Sequence, residues 1–200
     1  MVWQHPVNAR DPVRYTPEQK EKTRRRILAA AERNFKRGGY SGVGVDGLAK
    51  EAGVTSGAFY GHFPSKQAAF EEAVVAGLGS LYAAIARYQR EAGEDWWRAF
   101  AEFYTGEKRN CDLAESCALQ SLTPEVARAD PAVRARFENE LRRIVQLASE
   151  GDDRQARQRT WARLAMLVGG VSLARAVQDE SLADEIAAAI RDAVTALGER

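Results

Sequence analysis

The sequence predicts an all-α protein of about nine helices, with a three-helix N-terminal domain and a larger helical body behind it. Three observations carry that prediction. Apolar residues recur at helical spacing along most of the 200 residues, and no segment alternates as a half-buried strand would. Capping residues paired with proline stand where helices should begin. With 45% hydrophobic residues, 28% charged residues and six prolines, the composition is globular, and a chain of this length buries a core without disulfides.

Thr16-Pro17-Glu18-Gln19 opens the first helix: Thr16 caps it, Pro17 suits the first turn and Gln19 completes a capping box. Ile27, Ala30, Ala31 and Phe35 form its apolar face, and Gly38-Gly39 ends it. A short helix is expected near Val45–Ala52, a turn at Gly53-Val54, and a second short helix from Ser56 to Phe63. A long helix follows from Pro64-Ser65-Lys66 to about Arg90. The helix Glu94–Lys108 carries Trp97, Phe100 and Tyr104, and Thr123-Pro124 and Asp130-Pro131 mark two further starts. Val133, Phe137, Leu141, Ile144 and Ala148 stripe the second of these. After a break at Gly151-Asp152, one helix carries Trp161, Leu164, Ala165, Val168 and Ser172. The last, expected to be capped by Ser181, carries Ile186, Ile190, Val194 and Leu197.

Charge is divided unevenly along the chain. Met1 to Lys66 holds 12 Lys and Arg against 6 Asp and Glu, a balance of +6, while the remainder holds 17 against 22. A basic first third on an acidic body points to a polyanion at one end. No stretch approaches eighteen uninterrupted apolar residues, so no membrane span or membrane partner is expected. The first sixteen residues carry Arg10, Asp11 and Arg14 and lack the apolar run of a secretory leader. Two cysteines, Cys111 and Cys117, suit a reducing cytosol, and a cytoplasmic protein is expected.

The stretch from Val45 to Phe63 has the physics of a helix-turn-helix. Leu48 and Ala49 pack the first short helix, and Ala49 must stay small because the second helix crosses close to it. Gly53 supplies the positive φ of the sharp turn, Thr55 caps the second helix, and Phe59 and Phe63 pin its inner face. Ser56, Gly57, Ala58, Tyr60, Gly61 and His62 remain for the outer face or the N-terminal end. They are small or polar, as entry into a major groove requires.

Here the sequence resembles the tetracycline-repressor (TetR) family. The family's arginine-led helix appears as Arg26-Ile27-Leu28-Ala29-Ala30, followed by Phe35 and Gly39-Tyr40. Its helix-turn-helix pattern appears as Leu48 through Lys66, with Thr55 in place of serine. The resemblance implies an all-helical homodimer. It further implies a repressor of a palindromic double-stranded DNA operator, released when a small-molecule effector enters the C-terminal domain. By that resemblance Tyr60, His62 and Lys66 contact phosphates, and Ser56, Gly57 and Ala58 read bases. Val43 and Gly44 stand where the family prefers Thr or Ser, which removes a hydroxyl from the first short helix. The chain then divides into a flexible tail over 1–16, a DNA-binding domain over 17–66, and a ligand-binding and dimerisation domain over 67–200.

Within the body, Trp161, Leu164, Val168, Ile186, Ile190 and Val194 are expected to form the dimer interface, since operator symmetry mirrors that of the protein. Trp97, Phe100, Tyr104, Cys117, Phe137 and Trp161 are candidates to line a pocket for an apolar or aromatic effector; ordinary core packing is the alternative reading. The segment from Cys117 to Arg128 resembles a subgroup of the family with a cysteine before a small apolar run. Some of its members sense electrophiles or oxidants; an inert packed thiol is the alternative. No catalytic residue, metal or cofactor is expected. His5 and His62 stand far apart, and neither a Cys/His cluster, a Gly-rich phosphate loop nor a nucleophile elbow occurs.

Overall fold

The computed structural model describes residues 16–197, so the expected tail, with Arg10 and Arg14, lies outside the described residues apart from Thr16. Those residues form ten α-helical segments and two short 3₁₀ turns, without a strand. In order the helices are α1 (Pro17–Gly38), α2 (Val45–Glu51), α3 (Ser56–Tyr60), α4 (Lys66–Ala92), α5 (Trp96–Thr105), α6 (Glu107–Asn110), α7 (Ala118–Ala127), α8 (Pro131–Ala148), α9 (Arg154–Ala176) and α10 (Glu180–Ala196).

The start of α1 forms as its sequence dictates: Thr16 and Gln19 make a reciprocal capping box with Pro17 in the first turn. Ile27, Ala30, Ala31 and Phe35 are its buried residues. Phe35 meets Phe70 of α4 edge to face at 5.1 Å, which docks the N-terminal domain onto the long helix. A window within Lys66–Asn110 has the mean hydropathy of a membrane span, 1.3. Here that apolarity serves the core, because α4 runs through the middle of the bundle against α1, α5, α7 and α8. Gly77 permits its approach to α7, since a Cβ there would fall 2.4 Å from that of Ala118.

Three expected boundaries are corrected. The helix expected over 94–108 breaks at Gly106 into α5 and the single turn of α6. Thr123-Pro124 does not start a helix: α7 begins at Ala118 and runs through Pro124. Burial of Ala118, Leu119 and Leu122 outweighs the loss of one backbone bond at Pro124. Asp179, not Ser181, caps α10, its carboxylate accepting from the amides of Ser181 and Leu182.

Beside the body's core, Arg163 of α9 is buried. It donates to Glu150 at 2.9 Å and to the carbonyl of Val194 at 3.2 Å, and lies 4.8 Å from the centre of the Trp97 ring.

Candidate nucleic-acid interface

The helix-turn-helix is assembled from α2 and α3 and buttressed by α1. Leu48, Ala49, Phe59 and Phe63 are buried, and their exclusion from water holds the two short helices together. Gly53 has φ +65°, and Val54 closes the turn by donating to the carbonyl of Ala49 at 2.9 Å. Arg26 reaches over from α1 and gives Nη2 to the carbonyl of Ala52 at 2.6 Å, satisfying an acceptor that the end of α2 would otherwise leave open.

Thr55 caps α3, its hydroxyl accepting from the amide of Ala58 at 3.1 Å. Gly57, Ala58 and Tyr60 are exposed, and Tyr60 is 55% exposed despite packing one ring edge on Phe59. Ser56 donates to the carboxylate of Asp46 on α2, a partner that the motif alone does not reveal. Thr55, Ser56, Gly57, Ala58 and Tyr60 therefore share one end and outer face of α3.

His62 lies just beyond α3, half-buried, with Nδ1 buried and unpartnered. Burial first, then the charges of Lys20 and Arg24 on α1, hold its imidazole below the usual histidine value. Lys20 is thus an electrostatic neighbour of the site that the motif does not contain. Arg24 itself is turned inward, paired with Glu72 and set over the Phe63 ring at 4.9 Å. Lys66 differs from its expected placement. Its Nζ donates to the carbonyl of Val43 at 2.9 Å and sits 4.3 Å from the centre of the Tyr40 ring, tying the start of α4 to the α1–α2 loop.

The expected effector residues separate into two groups. Phe100, Tyr104 and Cys117 line a cavity of about 290 Å³ whose wall also includes Phe103 and, from α1, Glu32 and Lys36. The cavity therefore lies where α1 meets α4 and α5. Tyr104 Oη is buried with no partner; burial raises its hydroxyl well above the usual tyrosine value, and the neighbouring Cys117 thiol adds to the shift without satisfying it. Burial likewise raises the Glu32 carboxyl, with Glu115 adding to the effect and Lys36 and Arg33 opposing it. Trp97, Phe137 and Trp161 do not line this cavity. Trp97 is stacked on Trp96 at 4.2 Å, Phe137 packs beside the core, and Trp161 lies on a separate surface hollow against Val145. Both cysteines are free thiols, Cys117 buried and Cys111 half-buried.

The expected dimer residues also divide. Leu164 and Val194 are buried within the protomer, and Val168, Ile186 and Ile190 are half-buried. Gly170 accounts for part of this, since α10 approaches so closely that a Cβ there would meet Ile190 at 2.3 Å. The large apolar residues left exposed on α9 and α10 are Trp161 at 43% exposure, Leu173 at 62% and Leu182 at 41%.

Comparison with known proteins bears on the same segment. Residues 27–73 match the family described as bacterial regulatory proteins, tetR family. The transcriptional regulator TtgR of Pseudomonas putida is 43% identical over 70 residues, 35% of this chain and 31% of that protein. AcrR of Shigella flexneri is 42% identical over 59 residues, 30% of this chain and 27% of that protein. These matches span about a third of the length of the curated relatives. Over most of the chain the fold is similar to two solved structures. One is the reduced form of Escherichia coli NemR, with a TM-score of 0.71 at 19% identity over 86% of this chain and 97% of that one. The other is a TetR-family regulator from Cytophaga hutchinsonii, with a TM-score of 0.70 at 17% identity over 89% and 96%. Motif and matched segment agree: residues 27–73 carry the segment shared by the tetR family of bacterial regulatory proteins, and the chain has the fold of solved regulators of that kind.

Proposed function

We propose that this protein is a DNA-binding transcriptional regulator that reads a palindromic operator as a homodimer and is released by a small-molecule effector. The observation that carries this reading is the outer face of α3. Thr55, Ser56, Gly57 and Ala58 present small side chains at a helix N-terminus, Tyr60 stands exposed beside them, and Phe59 locks the opposite face into the core. Ser56, Gly57 and Ala58 read base edges, while Tyr60 and His62 take phosphates. Lys66 serves the same surface by fixing the α1–α2 loop at Val43.

The apolar residues exposed on α9 and α10 support a homodimer, whose two-fold symmetry would match that of an inverted-repeat operator. The junction cavity supports an effector site: aromatic walls favour an apolar or aromatic ligand, and the unpartnered Tyr104 hydroxyl offers it one hydrogen bond. Repression is the reading that the family resemblance supports, acting on DNA and hence in the cytoplasm.

Selection of bound sequences from a random duplex pool tests the reading, followed by shift assays with Tyr60→Ala and His62→Ala. An inverted repeat is expected, bound more weakly by both variants. A pool that remains unenriched at low salt refutes operator reading.

A further inference from the structure

A cleft of about 350 Å³ lies between α6 and the connection from α9 to α10, lined by Arg109, Cys111, Arg175, Gln178 and Glu180 among others. Two guanidiniums meet it from different elements. Arg175, near the end of α9, gives Nη2 to the carbonyls of Lys108 and Cys111 and to Cys111 Sγ at 3.2 Å, so its acceptors are two carbonyls and a thiol. Its Nε is buried without a partner. Arg109 on α6 is 11% exposed and gives Nη2 to Asp184 at 2.7 Å, while its Nε and Nη1 are buried without partners.

Three guanidinium nitrogens are thus withdrawn from water with no acceptor, which is costly for a charged donor. The other charges nearby do not satisfy them. Lys108 turns to the carbonyl of Glu115, Asp112 pairs with Arg37, Asp184 is 68% exposed and takes only one arm of Arg109, and Glu180 stands exposed at the start of α10. Two arginines lining one cleft, with guanidinium nitrogens that no protein acceptor takes, suit a planar or tetrahedral oxyanion.

We propose that this cleft binds a small oxyanion, a carboxylate or a phosphate group, between Arg109 and Arg175, with Cys111 at its edge. The site is separate from the junction cavity. Asp112, which follows Cys111, pairs with Arg37 of α1 at 3.2 Å.

Cys111 itself provides the reporter. Its thiolate attacks the methylene carbon of iodoacetate or of iodoacetamide; a C–S bond forms, the C–I bond breaks and iodide leaves, so the two reagents differ only in charge. Rates at Cys111 are measured on the full chain by peptide mass spectrometry, with buried Cys117 as an internal comparator. The preference of Cys111 for iodoacetate should exceed that of N-acetylcysteine on the order of tenfold. Arg109→Gln should erase this excess and Arg109→Lys retain part of it. Inorganic phosphate and acetate should each slow iodoacetate at Cys111 in the unaltered protein, and the stronger competitor identifies the oxyanion class. This competition does not depend on how the variants fold. A preference no greater than that of the free thiol overturns the proposal. So does one that sodium chloride at equal ionic strength suppresses as well as phosphate and acetate do.

Discussion

Arg26 gives its Nη2 to the carbonyl of Ala52 across 2.6 Å, and through that contact α1 fixes the turn that aims α3. Arg26→Met keeps the aliphatic stem and removes the donor, leaving a helix-end carbonyl unsatisfied. The expected cost is about 1–3 kcal/mol, read by urea denaturation. A weaker complex with the selected operator should accompany it, because α3 is then less firmly aimed.

Gly53 sits directly beneath that contact. Its φ of +65° disfavours any side chain, and a Cβ there would fall 2.7 Å from Arg26 Nη2. Gly53→Ala should therefore cost about 1–3 kcal/mol in the same denaturation experiment. Combined with Arg26→Met, the loss should be smaller than the sum, because the first change already disturbs the contact that the second removes.

On the proposed function, His62 should make the protein's stability and its operator binding respond to acid in opposite directions. Burial, Lys20 and Arg24 hold the folded imidazole below its ordinary value of about 6.5, so the unfolded chain takes up this proton first as pH falls. The stability contributed by this group is present above that value and is lost as pH falls toward the lower folded one. Operator phosphates favour the protonated ring, so binding should take up a proton and tighten as pH falls through the same range. Calorimetric titrations in two buffers of different ionisation enthalpy measure the uptake, and His62→Gln should abolish it.

Leu173 is 62% exposed on α9, so replacing it disturbs no packing within the protomer. Leu173→Arg should leave the helical circular dichroism signal unchanged and convert the proposed homodimer to a monomer in sedimentation. Operator affinity should fall with it, since each half-site is then held alone. An unchanged sedimentation profile would place the dimer interface elsewhere.

The N-terminal domain was largely legible because its determinants are local. The capping box at Thr16, the turn at Gly53 and the cap at Thr55 each act within a few residues of themselves. The body was less so. A stripe such as Trp161, Leu164 and Val168 states that α9 is apolar without stating which side meets α10; the close approach at Gly170 shows where α10 lies, and burial shows that Leu164 turns inward. Pro124 misled because a proline in a first turn and one further along a helix look alike until the burial of Leu119 and Leu122 is known. The places of Glu32 and Lys36 in the cavity, and of Lys66 against Val43, depend on how two domains dock, which no periodicity encodes.

One helix touches both the cavity and the reading head. Glu32 and Lys36 form part of the cavity wall, and Arg26, about 9–15 Å back along the same rod, clamps the turn before α3. A stiff rod tilts as a whole, so a guest that pushes on one end of α1 moves the other without any intervening relay. In a two-fold assembly two such rods tilt in mirrored senses, and the gap between the two reading heads changes by twice the single displacement. A duplex repeats every ~34 Å and tolerates little change in that gap. On the proposed function, the bulk of a guest molecule, more than its polar groups, would govern release of DNA.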